Sequence, residues 1–316
     1  MVIKNILIIG FGRMGVSYIS SFLKFCGDVE VFIYDRDLKS AKNKLNFLDL
    51  GKNRVTWFES VDEIVSSAKN FDLYINSTQV LGRWRYEKRL IKHKFTKRIY
   101  EKPLFSRNFF AEINALTEDT VNNSYVNFSR RLSPELNALK RKHQGQIQKL
   151  IIKGVNLNLG SNWSHFLDLY CWLSDSELDD IRYTVDSVHG SGQYSIVEGS
   201  CRGSINGEDR VIVTSDFCPS VDKNYSSTIV LCDDTEIPYR EVYGTVSFGA
   251  LDGLAVNVPL VSDFDFGRML SLDELDGNTE VMRLPLISEV LPVIYRGTKA
   301  LYASLDKSGY DLVEVT

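Results

Sequence analysis

The sequence predicts an α/β chain, with an N-terminal doubly wound parallel sheet and a C-terminal α+β domain on an open, mostly antiparallel sheet. Three observations predict it. Through about Asn122, short apolar runs alternate with segments of helical period. A glycine-rich turn joins the first run to the first helix. Beyond that point strand-like runs follow one another with turns between them. The 316 residues are comfortable for two domains, expected over residues 1–122 and 123–316.

The elements follow in order. Lys4 to Ile9 is a β-branched and leucine run ending at glycine, the pattern of a strand buried on both faces. A helical pattern runs from the glycine turn to about Phe25. Val29 to Tyr34 is a second buried strand, ending at Asp35. Leu38 to Leu48 is helical, with Ala41, Leu45 and Leu48 at helix spacing. Val55 to Phe58 is a short third strand, a helix follows near Val61 to Ala68, and Phe71 to Asn76 is a fourth strand. Arg83 to His93 reads as a basic, exposed helix, and Arg98 to Tyr100 as a fifth strand leading into Glu101-Lys102-Pro103.

Ser124 to Phe128 is one more strand, and Pro134 to Lys142 a helix with proline in its first turn. Val155, Leu157 and Leu159 alternate with Asn156 and Asn158, as in a half-buried strand. Asn162 to Leu173 is helical. Strands are expected at Ile181 to Val188, Tyr194 to Cys201, Arg210 to Asp216 and Thr228 to Cys232, with turns at Asn206-Gly207 and Asp233-Asp234. Leu286 to Leu305 reads as a long helix with Pro292 in an early turn.

Composition narrows the function classes. Hydrophobic residues at 44% and charged residues at 25% describe an ordinary globular protein, whose core needs no metal or disulfide staple. A net charge of −4 gives no electrostatic reason to expect nucleic acid or an anionic membrane as partner. The five cysteines are scattered without CxxC spacing, so reduced thiols are expected and no metal site. With no secretion signal and no apolar stretch near the ~20 residues that span a bilayer, a cytoplasmic location is expected.

Gly10-Phe11-Gly12-Arg13-Met14-Gly15 matches GxGxxG between a strand and a helix. The first glycine permits a tight turn, the second lets a pyrophosphate approach the backbone, and the third lets helix and strand pack closely. Phosphates then meet free amides at the helix N-terminus. Asp35 follows Gly15 at the expected spacing, at the end of the second strand. Its carboxylate can accept from ribose hydroxyls and repels a 2′-phosphate. The pattern predicts a nicotinamide dinucleotide. NAD(H) is favoured, and NADP(H) stays open because Arg36 can hold a 2′-phosphate. Ser77 and Thr78 after the fourth strand, and Glu101 and Lys102 after the fifth, are assigned to the cofactor too, because the ligand crevice of an open α/β sheet lies at the carboxyl ends of its strands. A glycine turn of the same fold that holds no dinucleotide is the other reading. Lys102 can reach a substrate hydroxyl, and burial lowers a lysine pKa; without context it is a surface lysine.

Together these residues resemble the glucose–fructose oxidoreductase and inositol dehydrogenase (Gfo/Idh/MocA) family. The resemblance rests on Gly10 to Gly15, on Asp35 and on Glu101-Lys102-Pro103-Leu104. It continues with Val126-Asn127-Phe128-Ser129-Arg130-Arg131-Leu132-Ser133-Pro134, similar to the family's crossing into its second domain. It ends at Gly160 to Asp168, where His165 and Asp168 match a helix with His, two residues, then Asp. It implies a Rossmann domain, an open-faced sheet domain and a substrate between them. The implied reaction moves a hydride between nicotinamide and a hydroxyl or keto carbon of a sugar or nucleotide sugar. Lys102 is implied to orient the hydroxyl and share in proton transfer, with His165 as general base or acid. Asp168, on the same helix face, is implied to line the site or orient its neighbours. A homo-dimer or homo-tetramer is implied as well.

One departure stands out. Many members carry Asp four residues before the His; here Ser161 stands there, beside Asn162. Neither can act as a carboxylate base. Asn162 can bond a sugar hydroxyl or cap the helix, and capping is the favoured of the two. A non-catalytic dinucleotide-binding protein of the same fold is therefore the alternative to an enzyme. Arg130 and Arg131 can fix an anionic substrate or pair with carboxylates. Trp163 can stack on a sugar or pack internally. Arg83, Arg85, Lys88, Arg89, Lys92 and Lys94 read as a solvated basic face, with a surface that attracts a phosphorylated or nucleotide-linked substrate as the alternative. His93, His143 and His189 are given no role.

Overall fold

The computed structural model describes residues 4–25, 29–46, 54–67, 69–90, 93–190, 195–220, 224–242, 245–251, 254–259 and 284–310. Leu48, Ala68, Lys92 and Tyr194, named above, lie outside them, as does Cys26, one of the five cysteines. The described residues form two compact units. One holds those through Leu104, then Phe110–Asn127, then Leu284–Ser288; the other holds Phe105–Phe109, those from Phe128 through Pro259, and those from Glu289 through Tyr310.

The first unit is built on six strands: β1 (Asn5–Ile9), β2 (Glu30–Tyr34), β3 (Arg54–Phe58), β4 (Phe71–Asn76), β5 (Phe95–Tyr100) and β6 (Ser124–Val126). All pair in parallel, in the order β3-β2-β1-β4-β5-β6. That is the doubly wound order whose direction reverses between β1 and β4. The central strands are apolar throughout because both of their faces are covered: Ile6, Leu7, Ile8 and Ile9 are fully buried, as are Leu73 and Ile75. The helices are α1 (Arg13–Phe25), α2 (Leu38–Leu45), α3 (Val61–Ser66), α4 (Val80–Leu90), α5 (Phe109–Asn114, whose Phe109 belongs to the second unit) and α6 (Glu118–Asn123). Asp37, Ser60 and Thr117 cap α2, α3 and α6 through side-chain oxygens on free first-turn amides. β6 lies beyond residue 122 yet completes this sheet.

The second unit carries an eight-stranded sheet of β7 (Ile147–Val155), β8 (Asp180–His189), β9 (Ile196–Ile205), β10 (Glu208–Asp216), β11 (Asn224–Leu231), β12 (Glu236–Val242), β13 (Thr245–Leu251) and β14 (Leu254–Pro259). Its order is β14-β13-β12-β11-β7-β10-β9-β8, and every pair is antiparallel except β7 with β10. Asn206 and Gly207 both take positive φ, the requirement of a tight hairpin turn. Helices α7 (Pro134–Lys142), α8 (Leu159–Ser174) and α9 (Ile287–Lys307) belong to this unit, save the first two residues of α9. α8 buries Trp163, Phe166, Leu167, Tyr170 and Leu173 and packs on β7, β9 and β10. A Cβ on Gly297 of α9 would stand 2.0 Å from the Trp163 ring, so only glycine fits there. Trp163, 1% exposed, is a packed aromatic and not a sugar platform.

Two sequence readings are corrected. The strand expected over Val155 to Leu159 stops at Val155, because Asn156 and Asn158 both adopt left-handed backbone at φ 54°. Asparagine tolerates that region and bonds locally. The Asn156 amide exchanges hydrogen bonds with Cys218, and Asn158 donates to the Ser195 carbonyl at 2.9 Å. α8 then starts at Leu159, three residues before the expected Asn162. Cys171, Cys201, Cys218 and Cys232 are free thiols. Among the described residues no helix is long and apolar enough to cross a membrane.

Candidate functional site

The strand register gathers the candidate cofactor residues on one edge. Ile9 pairs with Tyr34 on one side and Asn76 on the other, and Asn76 pairs with Tyr100. Gly10, Asp35, Ser77 and Glu101 therefore leave adjacent strands at their carboxyl ends, where ligands bind in open α/β sheets. Gly10 has φ +88°, and its amide donates to the Tyr34 carbonyl at 2.8 Å. A Cβ on Gly10 would meet Thr78 at 2.9 Å, and one on Gly15 would meet the Gly10 carbonyl oxygen at 2.4 Å. A Cβ on Gly12 would meet nothing within 4 Å. The open cradle beside Gly12 and the start of α1 at Arg13, with no acid in its first turn, fit a pyrophosphate. Phe11 is buried edge-on against Trp57, while Arg13 is exposed and Met14 half-buried.

Asp35 braces this loop. One carboxylate oxygen accepts from the Phe11 amide at 2.6 Å, the other from the Asp37 amide at 2.8 Å. A carboxylate has about four acceptor positions, so two remain for ribose hydroxyls. Arg36 is exposed. Ser77 donates to the Gly10 carbonyl at 2.5 Å, and Thr78 donates to the Asn76 side chain at 2.6 Å.

The Glu101-Lys102-Pro103 turn is held from beneath. Glu101, 6% exposed, accepts from Tyr18 of α1 and from Asn127, each at 2.6 Å. This carboxylate braces the turn from within. Lys102 is half-buried, and its bond to Pro103 is cis. Arg83 of α4 is 1% exposed, which corrects its reading as part of a solvated face. Its guanidinium donates to the Glu101 carbonyl, to Pro103 at 2.6 Å and to Thr78 at 2.8 Å. Burial pulls its pKa below the ordinary guanidinium value, against the opposing pull of Glu101 and Glu87. Arg85, Lys88, Arg89 and Lys94 are exposed as expected.

In the second unit a 3-10 turn, Ser129–Leu132, packs on α8. His165 lies in the second turn of α8, 8% exposed, edge-on to Phe128 at 5.4 Å. Arg130 lies over the Phe166 ring at 4.8 Å. Arg131 grips Asp168 with two hydrogen bonds, of 2.6 and 3.1 Å, and reaches Glu289 of α9 at 3.5 Å. Burial pushes the Asp168 carboxyl above its usual range, with Arg131 pulling the other way. Both Asp168 oxygens are thus engaged by Arg131, which suits orientation of neighbours over substrate contact. Asn162 does not cap α8. It sits one turn inside the helix and donates to the Leu157 carbonyl at 2.6 Å.

No protein-family model and no curated protein matches the sequence. Solved structures do match its fold. A myo-inositol dehydrogenase from Corynebacterium glutamicum superposes with TM-score 0.66 at 14% identity, over 98% of this chain and 98% of that one. UDP-N-acetylglucosamine 3-dehydrogenase GnnA from Acidithiobacillus ferrooxidans gives 0.68 at 15% identity, over 96% and 100%. A Gfo/Idh/MocA family oxidoreductase from Vibrio cholerae gives 0.65 at 15% identity, over 97% and 99%. The chain has the fold of these dehydrogenases.

Within this dehydrogenase fold, two polar clusters escaped the sequence reading. Glu87 of α4 accepts from Tyr74, from Tyr100 at 2.7 Å and from Asn76 at 2.6 Å. Burial raises its pKa, opposed by those hydrogen bonds. Asn76 carries the cluster to Thr78. In the second unit His189 meets Ser187 at 2.5 Å and Glu198 at 2.9 Å and stacks on Phe217. Hydrogen bonds from His189 and Ser187 hold the Glu198 carboxyl below its ordinary value. The partners come from neighbouring strands, which sequence spacing does not show.

Proposed function

We propose that this chain is an NAD(P)-dependent oxidoreductase of the Gfo/Idh/MocA family acting on a hydroxyl or keto carbon of a sugar or nucleotide sugar, with NAD(H) as the favoured cofactor. The observation that carries the reading is the Gly10–Gly15 cradle braced by Asp35 at the strand-order reversal. The dinucleotide supplies or accepts the hydride when bound. Amides of the first turn of α1 bind its phosphates, and Asp35 selects an unphosphorylated ribose. Lys102 orients the reacting hydroxyl and moves its proton, and His165 acts as general base or acid. Asp168, through Arg131, positions the turn that follows Phe128, whose ring meets His165. Asn162 and Arg130 remain the candidate substrate contacts of this unit.

Titration with NADH and NADPH, followed by nicotinamide fluorescence, tests the cofactor reading: tight NADH and weak NADPH binding is expected, and binding of neither overturns it. Replacing Lys102 by Ala should lower turnover by roughly 10²-fold or more while leaving the NADH Kd nearly unchanged. Undiminished turnover would remove Lys102 from the mechanism. A second reading, a dinucleotide-binding protein without turnover, is favoured by the first turn of α8, which holds Ser161 and no carboxylate. NADH binding without hydride transfer to or from any sugar, cyclitol or nucleotide sugar would establish it.

A further inference from the structure

We propose that Arg83 is the positioning residue for Lys102, an inference that rests on the role given to Lys102 above. The guanidinium donates to the carbonyls of Glu101 and Pro103, the residues on either side of Lys102. Its second terminal nitrogen donates to Thr78, on the loop whose Ser77 touches the Gly10 carbonyl. Trp84, the next residue of α4, donates to the Leu104 carbonyl at 3.2 Å. One rigid side chain thus fixes the main chain around the lysine and its spacing from the dinucleotide loop.

The cost of this arrangement argues for a purpose beyond packing. Arg83 is 1% exposed, its hydrogen bonds all go to neutral main-chain carbonyls, and its Nε is buried without an acceptor. Glu101 and Glu87 offset the burial of this cation only in part, since burial still lowers its pKa, and an apolar side chain of similar volume fills such a space at lower cost. What the guanidinium adds is a planar fork that reaches four carbonyls at once, those of Thr78, Glu101, Pro103 and, at 3.5 Å, Leu104, which an ammonium cannot reproduce. Proton-transfer groups lose rate when displaced by about an ångström, so a clamp at this place acts on the direction of the lysine.

The experiment follows Lys102 directly. Lysines of the full chain are methylated with 13C-formaldehyde, the Lys102 resonance is assigned by its loss in Lys102→Arg, and NAD+ is added. In the parent protein this resonance should stand apart from those of exposed lysines and shift on NAD+ addition. In Arg83→Met it should merge with the exposed lysines before any NAD+ is added and lose its response, while circular dichroism is unchanged. Arg83→Lys keeps the charge without the fork and should show the same loss. A parent-like resonance and response in either folded variant overturns the proposal. Loss of fold in both variants also overturns it, since Arg83 would then serve the fold alone. A parent resonance that ignores NAD+ instead overturns the placement of Lys102 at the cofactor, an outcome separate from the others.

Discussion

Asp35 accepts two main-chain amides, one on each carboxylate oxygen, so it shapes the glycine loop in addition to the ribose contact proposed for it. Hydrogen bonds to a charged group are worth about 1.5–3 kcal/mol each. Replacing Asp35 by Ser should therefore weaken NADH binding by at least roughly tenfold and narrow the gap to NADPH, read from parallel fluorescence titrations. An unchanged NADH Kd would show that Asp35 faces no ribose. Residues of this kind are legible in sequence because their chemistry is local. A glycine three positions from another glycine, or an acid at a strand end, states its geometry in the spacing. Arg83 is illegible for the opposite reason. Its acceptors are carbonyls at Thr78, Glu101, Pro103 and Leu104, and carbonyls carry no sequence signature. Its neighbours in sequence, Arg85, Lys88 and Arg89, are exposed, so a basic run concealed one buried member.

At the scale of elements, β4, β5 and α4 are joined by the Glu87 cluster. Its carboxyl is held above the ordinary 4.5, chiefly by burial. A carboxyl whose folded pKa is raised favours the folded state when protonated. That contribution is present below about the unfolded value and is lost as pH rises through the folded one. Glu87 thus contributes a fall with rising pH, and Glu87→Gln should make the slope of stability against pH, read by urea unfolding across this window, more positive than in the parent. An identical slope in the variant would show that Glu87 does not titrate there. The elements themselves were read unevenly. Phe71–Asn76 and Pro134–Lys142 have the bounds the sequence predicts. Both are set by local signals, an apolar run ending at polar residues and a Ser-Pro start. The alternation at Val155 to Leu159 misled because left-handed asparagines, not a pleat, produce it. β12 went unread: Pro238 lies inside it, and proline argues against a strand.

At the scale of the molecule, the sequence reading anticipates a parallel sheet followed by a mostly antiparallel one, because the change from alternating helix and strand to successive strands is visible along the chain. The units themselves are assembled from separated stretches, which a linear reading cannot show. Ligand that binds only the folded state stabilises it by mass action, by about 2.7 kcal/mol at a hundredfold excess over Kd. NADH should raise the urea midpoint of the first unit accordingly, and an unmoved midpoint would mean that its glycine loop holds no dinucleotide. The homo-dimer or homo-tetramer implied by the family resemblance is a proposal that light scattering decides.

The first unit closes late. β6 is the last strand of its sheet, and Tyr125 makes an antiparallel bridge to Leu286 while the Val126 amide donates to the Pro285 carbonyl at 3.0 Å. On the ribosome, that border of the sheet waits until Pro285 and Leu286, far downstream of β6, have been translated. A transcript ending before the codon for Pro285 leaves the parallel sheet with one bare strand edge at β6, the kind of edge that recruits a strand from another chain. For this protein, premature termination there carries an aggregation hazard along with the loss of α9.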